Sequence, residues 1–194
     1  MHFVLRISPY PREALVLHRS PYPQFDNIKQ VNAMALELNL TTKEDLPTIL
    51  EIENHPDNLQ FIGAYTTERH REVIDNSNEL HLAFKDQGKL IGYAILQGLD
   101  NPNDAIEFKR ITIAEKGKGY GRAALKGVKE YCFEKLNCHR LWLDVFDFNT
   151  RARHLYKSEG FTEEGLIREC IKREDGYKNL VLMSILKQEY DTLK

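Results

Sequence analysis

The chain has 194 residues, of which 42% are hydrophobic and 29% charged, and this profile excludes collagen-like, low-complexity and fully disordered proteins. The 27 Lys and Arg residues nearly balance the 29 Asp and Glu residues, which leaves a net charge of -2. A protein that neutralises the phosphates along a nucleic acid normally carries a positive surplus, so we expect no nucleic-acid partner. A chain of this length predicts one domain of ordinary size.

The cysteines and the lengths of the apolar runs indicate the cellular location that we expect for the protein. Cys132, Cys138 and Cys170 form no CxxC pair and lie at no metal-ligand spacing, so we expect free thiols, no bound metal and a reducing, cytoplasmic location. No stretch approaches the roughly 18 consecutive apolar residues of a membrane span, and we expect no membrane partner.

The first 33 residues differ from the rest of the chain. The tetrapeptide Ser-Pro-Tyr-Pro occurs at residues 8–11 and again at 20–23, and four of the seven prolines precede residue 24. Proline restricts φ and lacks a backbone donor, so this stretch disfavours a helix or a central strand. We predict an N-terminal extension over residues 1–33, which is rich in Pro and Tyr, and a folded domain over residues 34–194.

The folded domain alternates between strand-like and helix-like patterns in the order β-α-α-β-β-β-α-β-α-β-β. Alternating or continuous apolar runs predict strands over residues 35–40, 80–84, 90–96, 106–113, 140–145, 166–172 and 180–186. Capping residues and apolar spacings of three and four predict helices over residues 42–54, 67–74, 117–136 and 149–158, the third with the stripe Leu125, Val128, Cys132 and Leu136. Three strands precede the first crossover helix, so the predicted class is α/β (α+β), with a mixed, mostly antiparallel central sheet flanked by helices.

The most informative segment leads from a strand through a glycine-rich loop into a helix. The loop contains Gly117, Gly119 and Gly121 together with three cations, Lys116, Lys118 and Arg122. Glycines let the backbone approach a ligand closely, and the first N–H groups of a helix are unsatisfied donors at the positive end of its dipole. The segment therefore predicts a site for a phosphate or pyrophosphate group.

The loop alone leaves the identity of the phosphate ligand open. It does not match the P-loop pattern GxxxxGK[ST], and it differs from the dinucleotide pattern GxGxxG. Asp144 follows the last glycine by about 20 residues, where a ribose-binding acid would lie, so a nucleotide-dependent oxidoreductase is one hypothesis. Three strands before the loop, and too little chain after it for a second nucleotide-binding half, argue against that hypothesis.

Two motifs together resemble the GCN5-related N-acetyltransferase (GNAT) superfamily. The first, Lys-Gly-Lys-Gly-Tyr-Gly at residues 116–121, resembles the acetyl-CoA pyrophosphate loop (Arg/Gln)-x-x-Gly-x-(Gly/Ala), with Lys116 where the family prefers Arg or Gln. The second is Asn149-x-x-Ala152-x-x-Leu155-Tyr156-x-x-x-Gly160-Phe161. The resemblance covers residues 34–190 and is greatest to bacterial spermidine and ribosomal-protein N-acetyltransferases. It implies a GNAT fold in which splayed parallel strands form the acetyl-CoA cleft.

The resemblance also implies roles for particular residues. Tyr156 would protonate the departing CoA thiolate, because a phenol with a pKa near ~10 stays protonated at neutral pH, and Glu107 would take the proton of the attacking amine unless it only pairs with Lys109. The residues expected to bind acetyl-CoA are Ile111, Thr112, Ile113, Lys116, Gly117, Lys118, Gly119, Tyr120, Gly121, Arg122, Asn149 and Ala152. For Asn149 the alternative is a helix N-cap, and for Ile111 and Ile113 it is ordinary core packing.

The resemblance implies an acetyl-CoA-dependent enzyme with a small-molecule or peptide amine as acceptor, no metal, and the option of a homodimer. The acceptor, which this pattern does not identify, would be selected by residues 53–74. Glu51 and Glu53, with Asp57, are a candidate acidic mouth for a cationic amine, and the alternative is a solvated helix face. The alternative is an acetyl-CoA-binding sensor module without turnover.

Overall fold

In a computed structural model of the chain, which describes residues 28–31 and 36–194, eight strands form one sheet. The strands are β1 (Ile28–Val31), β2 (Leu36–Leu40), β3 (Glu79–Asp86), β4 (Lys89–Gln97), β5 (Ala105–Ile113), β6 (Arg140–Phe146), β7 (Thr162–Arg173) and β8 (Gly176–Leu186). Their order across the sheet is β1-β2-β3-β4-β5-β6-β8-β7, and every neighbouring pair is antiparallel except β5 and β6, which are parallel. The predicted mixed, mostly antiparallel sheet is confirmed.

Helices cover both faces of the sheet. They are α1 (Leu46–Asn54), α2 (Pro56–Leu59), α3 (Thr67–Asp75), α4 (Tyr120–Glu130), α5 (Thr150–Ser158) and α6 (Lys187–Thr192), with a 3-10 turn at Lys43–Asp45 and a π-helical turn at Tyr131–Lys135. The larger apolar core packs α4 against one face of the sheet, with Leu125 and Val128 fully buried. A smaller core lies under α1 and α3 on the other face, around Ile49 and Val73. Burying apolar side chains on both faces is the main stabilising contribution of such a layered fold.

The structure differs from the sequence prediction at several element ends. The third predicted helix changes to π-helical geometry at Tyr131 and ends before Leu136, which lies at its C-terminal cap and still packs on the core. The short helices α2 and α6 were not predicted, because each is too brief to show an apolar period. The last two strands each begin about four residues earlier than predicted, at Thr162 and Gly176, because those first residues are mostly polar and exposed and show no apolar alternation.

The N-terminal extension lies outside the described residues except for β1. That strand precedes the predicted domain boundary at Met34 and pairs with β2 at the edge of the sheet, with Ile28 opposite Leu38. The boundary itself stays a prediction. Within the described residues, no helix has the length and apolar character needed to cross a bilayer.

Candidate active site

A gap opens between β5 and β6, the one parallel pair among the described strands. The two strands are in register at only three positions, the last being Glu107 opposite Trp142. Beyond that point β5 continues to Ile113 alongside β4, and β6 continues to Phe146 alongside β8. One backbone edge of residues 108–113 therefore has no partner strand and is available to an extended ligand.

Glu107 lies at the closed end of this gap. Its carboxylate Oε1 accepts a hydrogen bond from Lys109 Nζ at 2.9 Å, and its side chain is 15% exposed. Glu107 and Lys109 are two residues apart on β5, and Lys109 is the extra residue of a β-bulge, since Leu96 pairs with Phe108 and Ile95 with Arg110. The carboxylate raises the pKa of the Lys109 ammonium, while burial opposes it. The expected pairing with Lys109 is thus present, and a catalytic role for Glu107 stays a prediction.

The glycine loop lies at the open end of the gap. Gly117 and Gly119 have φ values of +84° and +83°, a backbone conformation that residues other than glycine rarely adopt. Gly119 is the N-cap of α4. In the described part of the chain, the backbone N–H groups of Gly117, Lys118 and Gly119 have no acceptor. Together with the first N–H groups of α4 they form a concentration of unpaired donors that fits a pyrophosphate.

The three cations of the loop have partners within the protein, and their expected role in binding the anion stays a prediction. Lys116 Nζ donates to Asn58 Oδ1 and, at 2.6 Å, to the Ile113 carbonyl oxygen, and its burial lowers its pKa. Lys118 pairs with Glu115 and Arg122 with Glu159. Lys116 therefore ties the loop to α2, and the backbone N–H groups are the donors best placed for a phosphate.

The remaining predicted loop residues have identifiable partners. The Tyr120 hydroxyl donates to Asp86 Oδ2 at 2.6 Å, which directs its side chain toward the β3–β4 hairpin. A Cβ atom on Gly121 would make an ordinary 3.6 Å contact with Leu155 of α5. Gly121 therefore lies next to α5, with room for a Cβ atom between the two helices.

Asn149 and Ala152 begin α5 next to the end of β6. Asn149 Oδ1 accepts a hydrogen bond from the Ala152 N–H at 3.2 Å, so the N-cap alternative is present in the structure. The Asn149 Nδ2 group has no acceptor among the described residues, which leaves a donor for a ligand amide.

Tyr156 is the predicted catalytic acid, and it lies on α5 with only 8% exposure. Its ring packs against Phe161 at 5.7 Å between centroids. No described residue accepts a hydrogen bond from its hydroxyl. Burial raises the pKa of the Tyr156 hydroxyl above its ordinary value, and the nearby charge of Asp144 adds to the rise. The hydroxyl is therefore a protonated, unpaired donor at neutral pH.

Thr112 carries the buried polar side-chain atom that lacks a partner within the described residues. It is 3% exposed, and its Oγ1 has no hydrogen bond. It lies on the free stretch of β5 between Ile111, which is half-buried against the core, and Ile113, which is buried. An unpaired buried hydroxyl normally costs about 1–3 kcal/mol, so its presence beside the gap points to a ligand partner.

The predicted acidic mouth is wrong for Glu53. This carboxylate is 0% exposed: it accepts hydrogen bonds from the Tyr93 hydroxyl at 2.8 Å and from Arg110, and it contacts His70 Nε2 at 3.0 Å. Burial opposes ionisation, but the bonds from His70 and Tyr93 and the charge of Arg110 lower the pKa of Glu53. An amphipathic helix pattern could not show this, because the neutralising groups come from α3, β4 and β5.

Sequence reasoning missed Arg110. Its side chain is 9% exposed, and its guanidinium pairs with Glu53, donates to the Gly63 carbonyl oxygen at 2.8 Å and lies 3.7 Å from the Tyr65 ring centroid. The available signal was the pair Lys109-Arg110, two successive cations in an otherwise alternating strand, which indicates a bulge.

Among the described residues, no group of three or more His, Cys, Asp or Glu side chains is arranged to hold a metal ion.

Comparison with known proteins agrees with this geometry. Residues 46–161 match the family model described as Acetyltransferase (GNAT) family. The chain is 31% identical over 121 residues to a spermidine N(1)-acetyltransferase of Vibrio cholerae, and this alignment covers 62% of this chain and 70% of that protein. It is also 31% identical over 122 residues to a putative ribosomal N-acetyltransferase of Bacillus subtilis, covering 62% and 67% of the two chains.

A solved structure shares the fold. The Vibrio cholerae spermidine N-acetyltransferase in complex with CoA and spermine matches this chain with a TM-score of 0.73 at 29% sequence identity. The match covers 82% of this chain and 99% of that one.

Proposed function

This chain belongs to the acetyltransferase (GNAT) family, and on that premise we propose that its acceptor is a polyamine of the spermidine or spermine class. It is an acetyl-CoA-dependent N-acetyltransferase. The relatives named above support the acceptor proposal, since one is named for spermidine and a structural neighbour was solved with spermine and CoA. The observation that carries the proposed site is the gap between β5 and β6, with unpaired loop N–H groups at one end and an unpaired tyrosine hydroxyl beside it.

We propose that the co-substrate lies along the unpaired edge of β5. The backbone of Ile111, Thr112 and Ile113 would then bond the pantetheine amides, and the N–H groups of residues 117–121 would hold the pyrophosphate. Asn149 and Ala152 would meet the same arm from the side of β6. These roles rest on the unpaired donors and acceptors described above.

The proposed chemistry is direct transfer. The amine nitrogen attacks the thioester carbonyl carbon, and an N–H group near Ile111 stabilises the oxyanion that develops. The carbon–sulfur bond breaks, the Tyr156 hydroxyl protonates the departing thiolate, and solvent returns a proton to the phenolate. Glu107 takes the proton that the amine loses, directly or through water.

A panel of amines tests the acceptor. The full chain is mixed with acetyl-CoA and spermidine, spermine, putrescine, an amino sugar or a peptide with a free N-terminus, and CoA thiol release is measured. We expect the highest kcat/KM with spermidine or spermine. A preference for the peptide would overturn the polyamine proposal and favour a protein acceptor, while tight acetyl-CoA binding without turnover on any amine would favour a sensor module.

Two further statements belong to this proposal. We propose that the enzyme acts in the cytoplasm, where acetyl-CoA and polyamines meet and where the three free cysteines would stay reduced. A homodimer stays a prediction, and light scattering on the purified full chain measures the oligomeric state directly.

A further inference from the structure

The loop of residues 60–66, which joins α2 to α3, spans the gap between β5 and β6. On one side it contacts Arg110, which lies on β5 beyond the last residue paired with β6. On the other side it contacts Phe148, which follows β6, and Arg173 at the end of β7. One loop is thus attached to both of the strands that separate.

The attachment to β5 is buried and charged. The Arg110 guanidinium donates to the Gly63 carbonyl oxygen at 2.8 Å and lies 3.7 Å from the Tyr65 ring centroid. Glu53 of α1, which is fully buried, pairs with the same guanidinium and holds it in place. A guanidinium suits this role, because its planar fork can stack on a ring and donate to two acceptors at once.

The attachment on the other side is aromatic. Phe61 of the loop lies 6.0 Å from Phe148, and Phe148 stacks on Phe146, the last residue of β6, at 5.0 Å. The Arg173 guanidinium lies 4.4 Å from the Phe146 ring centroid and donates to the Gln60 carbonyl oxygen at 2.8 Å. The two arginines therefore donate to backbone carbonyl groups of the same irregular segment, Arg173 at its first residue and Arg110 at its middle.

We propose that Arg110 and Arg173 are positioning residues that hold the 60–66 loop over the acceptor side of the gap, so that this loop sets amine affinity and selectivity. The inference rests on the proposed function for the location of the acceptor. A segment without secondary structure samples many conformations unless tertiary contacts restrict it. When a ligand binds only one of these conformations, loss of the restricting contacts raises the entropic cost of binding and lowers the affinity. The arginines act through the loop and not on the reacting atoms.

Kinetics on the full chain test the inference. Arg173→Ala removes one attachment, and Tyr65→Leu removes the ring on which Arg110 stacks while leaving the buried pair with Glu53 intact. We expect each variant to raise KM for the preferred amine about 3- to 10-fold, the loss expected for one partly exposed cation contact, with KM for acetyl-CoA unchanged. Tyr65→Phe keeps the aromatic face and restores the wild-type KM.

A matched control lies on the same hairpin. Lys172 is exposed, precedes Arg173 and points to the opposite side of β7, so Lys172→Ala removes an equal charge without touching the loop. Its amine KM remains that of the wild type. An equal KM increase in Lys172→Ala would overturn the proposal in favour of a general electrostatic effect.

Hydrogen exchange tests whether the arginine contacts hold the 60–66 loop in place. This measurement does not depend on which amine is the acceptor. In Arg173→Ala and Tyr65→Leu we expect faster amide exchange within residues 60–66 and unchanged exchange in β4 and β8. If exchange and amine preference both match the wild type, the proposal is overturned. A wild-type enzyme that acetylates a different amine class refutes only the polyamine proposal, because the same variants are then assayed with that amine.

Discussion

At the scale of single residues, the surroundings of the Tyr156 hydroxyl favour its protonated form. Burial and the charge of Asp144 keep it protonated, and no described residue takes its proton. We expect Tyr156→Phe to lower kcat and kcat/KM together by about 10²–10⁴-fold while KM for acetyl-CoA stays the same, because the interaction is made only in the transition state.

The control for this prediction is Tyr190→Phe, since Tyr190 is another buried tyrosine, stacked on Phe133 at 4.7 Å and far along the chain from the gap. It keeps wild-type kinetics. A fall in kcat of less than about tenfold in Tyr156→Phe would mean that water or another group donates the proton. A raised KM with intact kcat would instead make Tyr156 a residue that positions CoA.

Gly119 tests the anion site at the same scale. A β-branched side chain there conflicts with a φ of +83° and blocks a phosphate from the loop N–H groups, so we expect Gly119→Val to abolish measurable CoA binding in isothermal titration calorimetry. Gly176→Val introduces a comparable conflict, at a φ of +112°, in the β7–β8 turn and keeps CoA affinity. Unchanged affinity in Gly119→Val would remove the loop from the site.

Thr112 offers a prediction in which stability and activity diverge. Thr112→Val replaces an unpaired buried hydroxyl with a methyl group of the same shape, so we expect an unchanged or higher melting temperature. If the hydroxyl binds a substrate, KM for that substrate rises several-fold. A clearly lower melting temperature would show that the hydroxyl serves the fold and not a ligand.

At the scale of elements, buried polar contacts join β3 and the residue after β2 to the helices α1 and α3. Thr41 contacts His81 Nδ1 at 2.8 Å, His81 Nε2 contacts His70 Nδ1 at 2.9 Å, and His70 contacts Glu53. Burial, together with the charges of His70 and Arg110, lowers the pKa of His81 to about 3. This histidine is therefore neutral in the folded protein where the unfolded chain would protonate it.

The sign of the pH effect follows from that difference. His81 binds fewer protons in the folded state, so its contribution is fully present above the unfolded pKa near ~6.5 and is lost as the pH falls from there toward 3. We expect urea unfolding to show a loss from this group of up to about 1.4 kcal/mol per pH unit in that window. His81→Gln reduces the slope, whereas His154→Gln, at an exposed position of α5, leaves it unchanged. Equal slopes in all three proteins would contradict the prediction.

Sequence patterns predicted some helices, strands and element boundaries and missed others. The hairpin of β3 and β4 and the long apolar stripe of α4 were predicted because each depends on local periodicity. The helix α2 was not predicted, because four residues are too few to show an apolar period, and the change to π-helical geometry at Tyr131 was not, because it depends on how neighbouring elements pack. The bulge at Lys109 belongs to the same class, although two successive cations marked its position.

At the scale of the whole molecule, the predicted extension leads to a prediction about domain bounds. We expect a chain that starts at Met34 to keep acetyl-CoA affinity and kcat, because the gap and the glycine loop lie in residues 34–194. It would lose some stability, since β1 pairs with β2. A chain that starts at Gln24 keeps β1 and is the matched control in thermal unfolding and kinetics. Loss of CoA binding in the Met34 chain alone would move the domain boundary to before Ile28.

Local sequence patterns were enough to predict the class of the sheet, the glycine turn that begins α4 and the helix that carries Tyr156, because these patterns extend over residues that are close in the chain. Glycines that need positive φ, a helix start and an apolar period all act over a few residues. The tertiary structure alone decided the partners of charged groups. It placed Glu53 in the interior beside Arg110, 57 residues later in the chain, and it engaged Lys116 with Asn58. Burial and ion pairing are set by which elements pack together, and no local pattern carries that information.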